Sequence, residues 1–210
     1  MFEVSGLLPL ETADGSARQP GPAVPGLHLI ADWLDPDACA RLLSKVDAAD
    51  WSAPLRRRVQ HYGHAYDYGR RAVSAGASAA AAPPLPRWAR EHARRLVREG
   101  LMDQEADQVI VNEYRPGQGI SAHVDCVPCF GPVVAAVSLG SSCTMDFSHP
   151  GDGTKAAVRL APGSLCVMTG PARWTWRHGI AARRSDPGPL GRIPRDRRVS
   201  VTFRTVVTAA

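Results

Sequence analysis

The second half of the chain is a series of short strand-like runs separated by glycine and proline. The series begins near residue 108 and continues almost to residue 210. Its runs are QVIVNEY, VVAAVSLG, CTMDF, AAVRLAPGSLCVMTG, RWTWRHGI and RRVSVTFRTVV. Many short strands at close spacing, with turn residues between them, are typical of a sandwich or jelly roll. We therefore predict that residues 108–210 form an all-β core.

The first half of the chain carries helical patterns instead. After a predicted strand in LHLIADWL, Asp35 suits a helix N-cap and Pro36 the first helical position. A second helix is predicted in PRWAREHARRLVREG, where Gly100 ends it. Residues 1–25 are rich in glycine and proline, which predicts a flexible N-terminal tail. The whole pattern predicts an α+β fold in a single domain over residues 26–210, with the helices of residues 26–107 packed on the β core.

The composition is that of an ordinary globular chain, with 44% hydrophobic and 21% charged residues. No apolar run has the length of a membrane span, and the first residues lack the features of a signal peptide. We therefore expect a cytoplasmic protein without a membrane partner, whose five cysteines are mostly reduced, and we predict a monomer. The net charge of +5 favours a phosphate-bearing partner only weakly, because an arginine-rich composition also follows from a GC-rich genome.

A metal site is suggested by two histidines and one carboxylate. His123 and Asp125 are two residues apart in an extended segment, so both side chains project from one face. His178 lies in a later strand-like run, WRHGI. Two histidines and a carboxylate form the facial triad of non-haem Fe(II) enzymes, although zinc hydrolases can use the same ligand atoms. The ligands alone therefore leave the metal open.

The last strand has an arginine at each end of its polar face. Arg198 and Arg204 share this face with Ser200, and at about 3.3 Å per residue their Cα atoms lie roughly 20 Å apart. Guanidinium groups that lean inward could hold the two ends of a short dicarboxylate. Asn112 and Tyr114 share one face of the VNEY run and offer further hydrogen bonds. The alternative is a pair of solvent-facing arginines and a core tyrosine.

The segment Cys126-Val-Pro-Cys129 offers a competing redox chemistry next to the metal pair. A redox dithiol of the thioredoxin type should begin a helix, whereas FGPVV after Cys129 does not read as one. A structural zinc site would need a second cysteine pair. We therefore predict that this segment is a loop that leaves the metal-binding strand at the mouth of the site.

Taken together, NEYRPGQGISAHVD, HGI and RRVSVTFR resemble the AlkB family of Fe(II)/2-oxoglutarate dioxygenases, in order and in spacing. The resemblance implies a double-stranded β-helix core, and Fe(II), 2-oxoglutarate and O2 as cofactor and cosubstrates. It implies oxidation of a C–H bond, which on an N-methyl group releases formaldehyde and on other carbons leaves an alcohol. The implied iron ligands are His123, Asp125 and His178, and the implied 2-oxoglutarate residues are Asn112, Tyr114, Arg198, Ser200 and Arg204.

In this family the segment before the β core forms a lid over the target nucleotide, which here falls within residues 26–107. The basic and aromatic run in this lid suits phosphate contacts and base stacking. Its predicted substrate residues are Arg58, His61, Tyr62 and Tyr66. The substrate is then a modified or alkylated base in DNA or RNA, single-stranded or flipped out of a duplex. Motif details also resemble the branch that hydroxylates a tRNA wobble uridine, and a protein substrate, a small molecule or a non-catalytic nucleic-acid-binding module remain alternatives.

Overall fold

The computed structural model describes residues 24–53, 56–67, 69, 72–73 and 82–207. Most of the predicted N-terminal tail therefore lies outside the described residues. Its last two positions do not behave as a tail, because Val24 is buried and accepts a hydrogen bond from the Leu27 amide. The ordered fold thus begins by residue 24.

The two predicted helices are confirmed as α1 (Pro36–Asp47) and α2 (Arg87–Arg98). The Asp35 carboxylate caps α1 by accepting a hydrogen bond of 2.7 Å from the Ala38 amide. Gly100 follows α2 with a φ of +67°, a conformation that glycine adopts without steric cost. No described helix has both the length and the apolar character needed to cross a membrane.

The strands follow the predicted series closely. In chain order they are β1 (Leu27–Ile30), β2 (Val59–Tyr62), β3 (Tyr66–Asp67), β4 (Ala72–Val73), β5 (Gln108–Tyr114), β6 (Ile120–His123), β7 (Phe130–Gly140), β8 (Cys143–Ser148), β9 (Lys155–Leu160), β10 (Leu165–Met168), β11 (Arg177–Ile180), β12 (Ser185–Gly188), β13 (Gly191–Pro194) and β14 (Arg198–Val206). A short helix, α3 (Gly170–Trp174), connects β10 to β11.

Ten of these strands form two antiparallel sheets that face each other, and the pairs β3-β4 and β12-β13 form two small two-stranded sheets. The major sheet has the order β1-β10-β7-β14-β5-β2 and the minor sheet the order β6-β11-β8-β9. One core cluster packs α1 and α2 against the outer face of the major sheet, and a second cluster fills the space between the sheets. The prediction of a double-stranded β-helix with N-terminal helices packed on it is therefore confirmed.

Two predicted strands are wrong in part. RWTWRHGI was expected to be extended, but its first two residues belong to α3, and the amides of Thr175 and Trp176, which follow the helix, both donate to the Pro171 carbonyl. Only Arg177–Ile180 pairs as a strand. The LHLIADWL run stops at Ile30, because Asp32 adopts a left-handed φ of 49° that a strand cannot continue.

Candidate active site

Two strands of the minor sheet bring the predicted metal ligands together. β6 ends at His123, Asp125 follows it in the next loop, and His178 pairs directly with His123 across β6 and β11. One ligand atom from each of the three residues can be chosen so that all lie within 4.8 Å of one another. The histidine ring centroids are 4.5 Å apart, and His123 Nε2 is 3.5 Å from Asp125 Oδ1. Three donors can therefore reach one ion from one side and leave its other positions open.

The close approach of these histidines depends on Gly179 in the HGI motif. A Cβ atom at residue 179 would lie 2.9 Å from the backbone nitrogen of Ala122 on β6. Any side chain there would push β11 away from β6 and separate His178 from His123. The glycine is therefore required for strand packing at the metal site.

The Asp125 carboxylate is buried against Arg204. Arg204 Nε lies 3.2 Å from Asp125 Oδ2, and its Nη2 lies 3.3 Å from Oδ1. Burial alone would raise the pKa of Asp125, but the charge of Arg204 and a hydrogen bond from His123 outweigh burial and hold that pKa well below its usual range. Asp125 is therefore an anion, the form that binds a metal.

Burial also keeps His178 in the neutral form. It lowers the pKa of this histidine to about 4, more than the nearby Asp125 raises it. Among the described residues, His178 Nδ1 is a buried polar atom without a hydrogen-bond partner. A neutral imidazole with a buried, unpaired nitrogen is a suitable metal ligand.

At the other end of β14, Arg198 is a buried cation with an incomplete set of partners. It is 2% exposed, and its Nη2 donates to Ser138 Oγ at 2.9 Å. Its Nε and Nη1 find no hydrogen-bond partner within the described residues. Because buried polar groups are rarely left unpaired, these atoms suit an anionic ligand such as the distal carboxylate of 2-oxoglutarate. The chain thus fits the cosubstrate.

The remaining cosubstrate residues lie beside this arginine. In the β14–β5 register, Arg198 is opposite Tyr114 and Ser200 is opposite Asn112, so the four side chains share the inner face of the major sheet. Arg57 was not predicted, yet its Nε donates to Asn112 Oδ1 at 2.9 Å. The run of three arginines at 56–58 signalled charge, but not which of them turns inward.

Two of the four predicted substrate residues are placed away from the site. Tyr62 belongs to the helix-side core, where its ring meets Trp88 edge-on at 5.8 Å. Arg58 makes two 2.7 Å hydrogen bonds to Glu113, which points to the face of β5 opposite Asn112. Tyr62 thus fills the core and Arg58 neutralises a buried carboxylate, contacts that do not favour either as a substrate residue, and their role in substrate binding stays a prediction.

The other two predicted substrate residues, His61 and Tyr66, lie toward the metal site. His61 is half-buried opposite Ile110, and burial together with the charge of Arg204 lowers its pKa. Tyr66 packs on Phe130 with ring centroids 5.6 Å apart. Their role as substrate contacts stays a prediction, now with a position near the iron ligands.

The loop after Asp125 is closed by a disulfide between Cys126 and Cys129. The prediction was that the cysteines are mostly reduced. Cys39, Cys143 and Cys166 are free thiols, but the bond between Cys126 and Cys129 was not predicted. Arg173 of α3 also holds the loop and donates to the carbonyls of residues 125, 126, 130 and 131 at 3.0–3.3 Å. Sequence reasoning missed Arg173, because nothing in its local pattern indicates a buried cation that binds backbone carbonyls.

The fold and this site are those of the 2OG-Fe(II) oxygenase superfamily, whose sequence pattern matches residues 26–204. The structure of OsALKBH1 superimposes with a TM-score of 0.68 at 18% identity, covering 86% of this chain and 97% of that one. A Pseudomonas putida prolyl-4-hydroxylase superimposes with a TM-score of 0.52 at 18% identity, over 86% and 92% of the two chains. At these identities the structural likeness shows the fold alone.

Curated relatives narrow the family. Protein L905 of Acanthamoeba polyphaga mimivirus is 32% identical over 87% of this chain and 85% of its own length. The tRNA (carboxymethyluridine(34)-5-O)-methyltransferase ALKBH8 of Macaca fascicularis is 33% identical over 94% of this chain but only 33% of its own length. The Alkylated DNA repair protein ALKBH8 homolog of Arabidopsis thaliana is 32% identical over 87% of this chain and 59% of its own length.

The chain therefore belongs to the AlkB family of 2OG-Fe(II) oxygenases, and it is a 2-oxoglutarate- and Fe(II)-dependent dioxygenase. It spans about a third of the length of the vertebrate ALKBH8 relatives. What those longer proteins do as a whole is a separate question from what this domain does.

Proposed function

We propose that the protein oxidises an alkylated or otherwise modified base in nucleic acid. The observation that carries this proposal is the likeness, at 32–33% identity over 87–94% of the chain, to relatives whose names specify a tRNA uridine or alkylated DNA. A relative at 30% identity over 61% of the chain is named as a probable RNA/DNA demethylase. The base is presented in a single strand or flipped from a duplex, because its reacting carbon is inaccessible inside a base-paired stack.

The residues that would hold iron and the arginine that would bind 2-oxoglutarate lie near opposite ends of β14. His123, Asp125 and His178 would hold Fe(II), and Arg198 would bind the distal carboxylate of 2-oxoglutarate with its free Nε and Nη1 atoms. When bound, iron, 2-oxoglutarate and O2 supply the oxidising power that hydroxylates a substrate C–H bond and yields succinate and CO2. Arg204 keeps Asp125 charged and oriented, and Asn112 and Tyr114 line the space between the two ends.

Basic side chains near the site support an anionic polymer as substrate. Arg56, Arg57 and Arg184 line a groove of about 710 Å³ on the side of β6, and Arg57 also reaches Asn112. Asp146 lies in the same groove, so its charge is not uniformly positive. Positive charge beside a site attracts phosphate groups and speeds encounter with nucleic acid.

A substrate panel tests the proposal. The protein is incubated with Fe(II), 2-oxoglutarate and either N-methylated single-stranded DNA or RNA, tRNA, or peptides, and succinate is quantified. Substrate mass is followed for loss of a methyl group or gain of one oxygen atom. We expect succinate formation to rise with a modified nucleic acid and to vanish in His123→Ala. Stimulation by peptides or small molecules, with no nucleic-acid substrate turned over, would replace this proposal by the same chemistry on another substrate class.

The alternative within nucleic acids is a side chain of the tRNA wobble uridine. It is favoured by the ALKBH8 relatives, which match more of this chain than the ALKBH6 and ALKBH7 relatives do. The panel separates the two cases, because tRNA carrying a carboxymethylated uridine would gain an oxygen atom, whereas N-methylated oligonucleotides would lose methyl groups. The more readily turned over substrate decides between them.

A further inference from the structure

Trp174, at the end of α3, is a large aromatic residue that lies outside the hydrophobic core. It is 39% exposed, although Trp33, Trp88 and Trp176 are all buried. The Arg173 guanidinium lies 4.1 Å from the centroid of its ring. Since that cation covers one face, the exposed surface of the ring comes from its other face and its edges. An indole fixed in this way is a ready stacking surface.

This ring is held close to the iron ligands. The Arg173 side chain that stacks on Trp174 donates through Nη1 to the Asp125 carbonyl at 3.1 Å and through Nη2 to the Cys126 carbonyl at 3.3 Å. Arg173 is itself 2% exposed, so its position is fixed by packing and by these hydrogen bonds. One buried side chain therefore connects the exposed indole to the loop that carries Asp125.

Two basic side chains lie on the minor sheet, Arg177 on β11, the strand that follows α3, and Lys155 on β9. Arg177 is opposite Ser148, and Ser148 is opposite Lys155, so the three residues form a row across β11, β8 and β9. His178, the next residue after Arg177, points inward, and therefore this row points outward. Arg177 and Lys155 are exposed, and neither forms an ion pair among the residues that the structure describes. Two strand spacings place their Cα atoms about 10 Å apart.

We infer that Trp174, Arg177 and Lys155, here called the rim surface, bind the nucleic-acid strand next to the target base. A flanking base stacks on the free face of Trp174, and neighbouring phosphates contact Arg177 and Lys155. The combination of one fixed aromatic ring with two unpaired cations fits single-stranded nucleic acid, whose bases and phosphates alternate along the chain. This inference rests on the proposed function and extends it, because it places the flanking strand at α3, beside the loop that carries Asp125.

The test measures binding of fluorescent single-stranded oligonucleotides, carrying the modified base, by anisotropy. Trp174→Ala is expected to weaken binding roughly 5- to 150-fold, the range for loss of one stacked base, and Trp174→Phe to restore much of the loss. The slope of affinity against salt should be unchanged in both variants. Removing one flanking base from the oligonucleotide should make wild type and Trp174→Ala equal, which a merely structural role of Trp174 would not do.

The roles of Arg177 and Lys155 are tested through the salt dependence of binding. Arg177→Ala and Lys155→Ala should each reduce the slope of log affinity against log salt by about 0.7, the value for one phosphate contact on a single strand. Arg98→Ala, on the exposed side of α2, is the matched control for charge, and Leu190→Ala, in the exposed β12–β13 turn, is the control for apolar surface. Neither control should change affinity or slope.

The outcomes separate the two proposals. If wild type binds and oxidises the oligonucleotide while Trp174→Ala binds as tightly, the rim surface is wrong and the proposed function stands. If wild type neither binds nor oxidises any nucleic acid, both are wrong.

Discussion

Arg198 and Arg204 occupy the same face of one strand, yet they are in opposite electrostatic situations. Both are buried, at 2% and 8% exposure. Arg204 faces the Asp125 carboxylate through two of its nitrogens, while Arg198 has one hydroxyl partner and two unpaired nitrogens among the described residues. The charge of one guanidinium is balanced by the protein, and the charge of the other is not.

The difference shows how a buried charge can be classified. A buried ion pair is complete without a ligand, and breaking it leaves an uncompensated charge. A buried cation without an anion carries its desolvation cost until a ligand supplies the missing charge. Arg204 is therefore a support for the metal ligand, and Arg198 is an anion-binding group. Two experiments test this distinction directly, and a third applies it to Glu113, a buried carboxylate whose charge the protein balances.

The largest effect is expected from Arg198→Met. The variant loses two charge-assisted hydrogen bonds to the cosubstrate carboxylate, each contributing about 1.5 to 3 kcal/mol. The KM for 2-oxoglutarate should therefore rise roughly 10²- to 10⁴-fold, measured by succinate formation. The unfolding free energy without 2-oxoglutarate should not fall, because the variant removes an unbalanced buried charge.

Arg198→Lys is the matched control for this first experiment. It keeps the charge but cannot bind a carboxylate through two parallel N–H groups, so an intermediate KM is expected. If Arg198→Met instead destabilises the ligand-free protein by several kcal/mol and leaves the KM unchanged, Arg198 is a structural residue.

Arg204→Met should give the reverse pattern. It leaves the Asp125 carboxylate buried without its cation, which costs about 3 to 5 kcal/mol of unfolding free energy in the metal-free protein. A divalent cation such as Co(II) would then restore more stability than it adds to wild type, since the ion replaces the lost positive charge. Urea denaturation with and without Co(II) measures both quantities. Equal stability of the metal-free variant and wild type would contradict the role of Arg204 as the partner of Asp125.

The smallest effect concerns Glu113, a buried carboxylate on the outer face of β5. Hydrogen bonds from Arg58 and then Arg197 lower its pKa to about 2 against the opposing effect of burial. Because the folded pKa is depressed, its stabilisation is complete above the ordinary glutamate pKa near 4.5 and is lost as the pH falls toward 2.

Glu113→Gln should therefore lower stability at pH 7 by about 1 to 3 kcal/mol and lose less than wild type on acidification. Urea denaturation at pH 7 and pH 3 gives the comparison. Asp186, whose hydrogen bonds from Arg195 and Arg183 overcome burial to lower its pKa to about 2, is present in both proteins, so it cancels in the difference. If the unfolding free energies of wild type and Glu113→Gln fall in parallel between pH 7 and pH 3, Glu113 is not the source of the stabilisation that is lost in acid.

The sequence predicted the β core and the metal residues well because both depend on periodic or closely spaced patterns. The alternation from residue 198 to residue 204 does place Val199, Val201 and Phe203 in the core on one face and the arginines on the other. The predicted ligands His123, Asp125 and His178 also come together. In contrast, α3 was missed, because five residues are too few to display a helical period.

The lid residues were harder to assign because contacts distant in sequence decide them. Tyr62 and His61 are neighbours on β2, and strand alternation sends one to the core and the other toward the site. Which residue faces the core depends on the register with β5, which the sequence of β2 does not contain. Likewise, Arg58 is bound by a glutamate 55 positions away.

The bond between Cys126 and Cys129 has a consequence for which metal the site accepts. Thiolates next to Asp125 would be soft donors, and soft donors favour zinc and copper over Fe(II). While the two sulfurs are joined to each other, neither is a thiolate. Within the described part of the chain, the site then presents imidazole nitrogen and carboxylate oxygen as its donor atoms. Through this covalent bond the loop preserves the donor set that suits iron, although it contributes no ligand of its own.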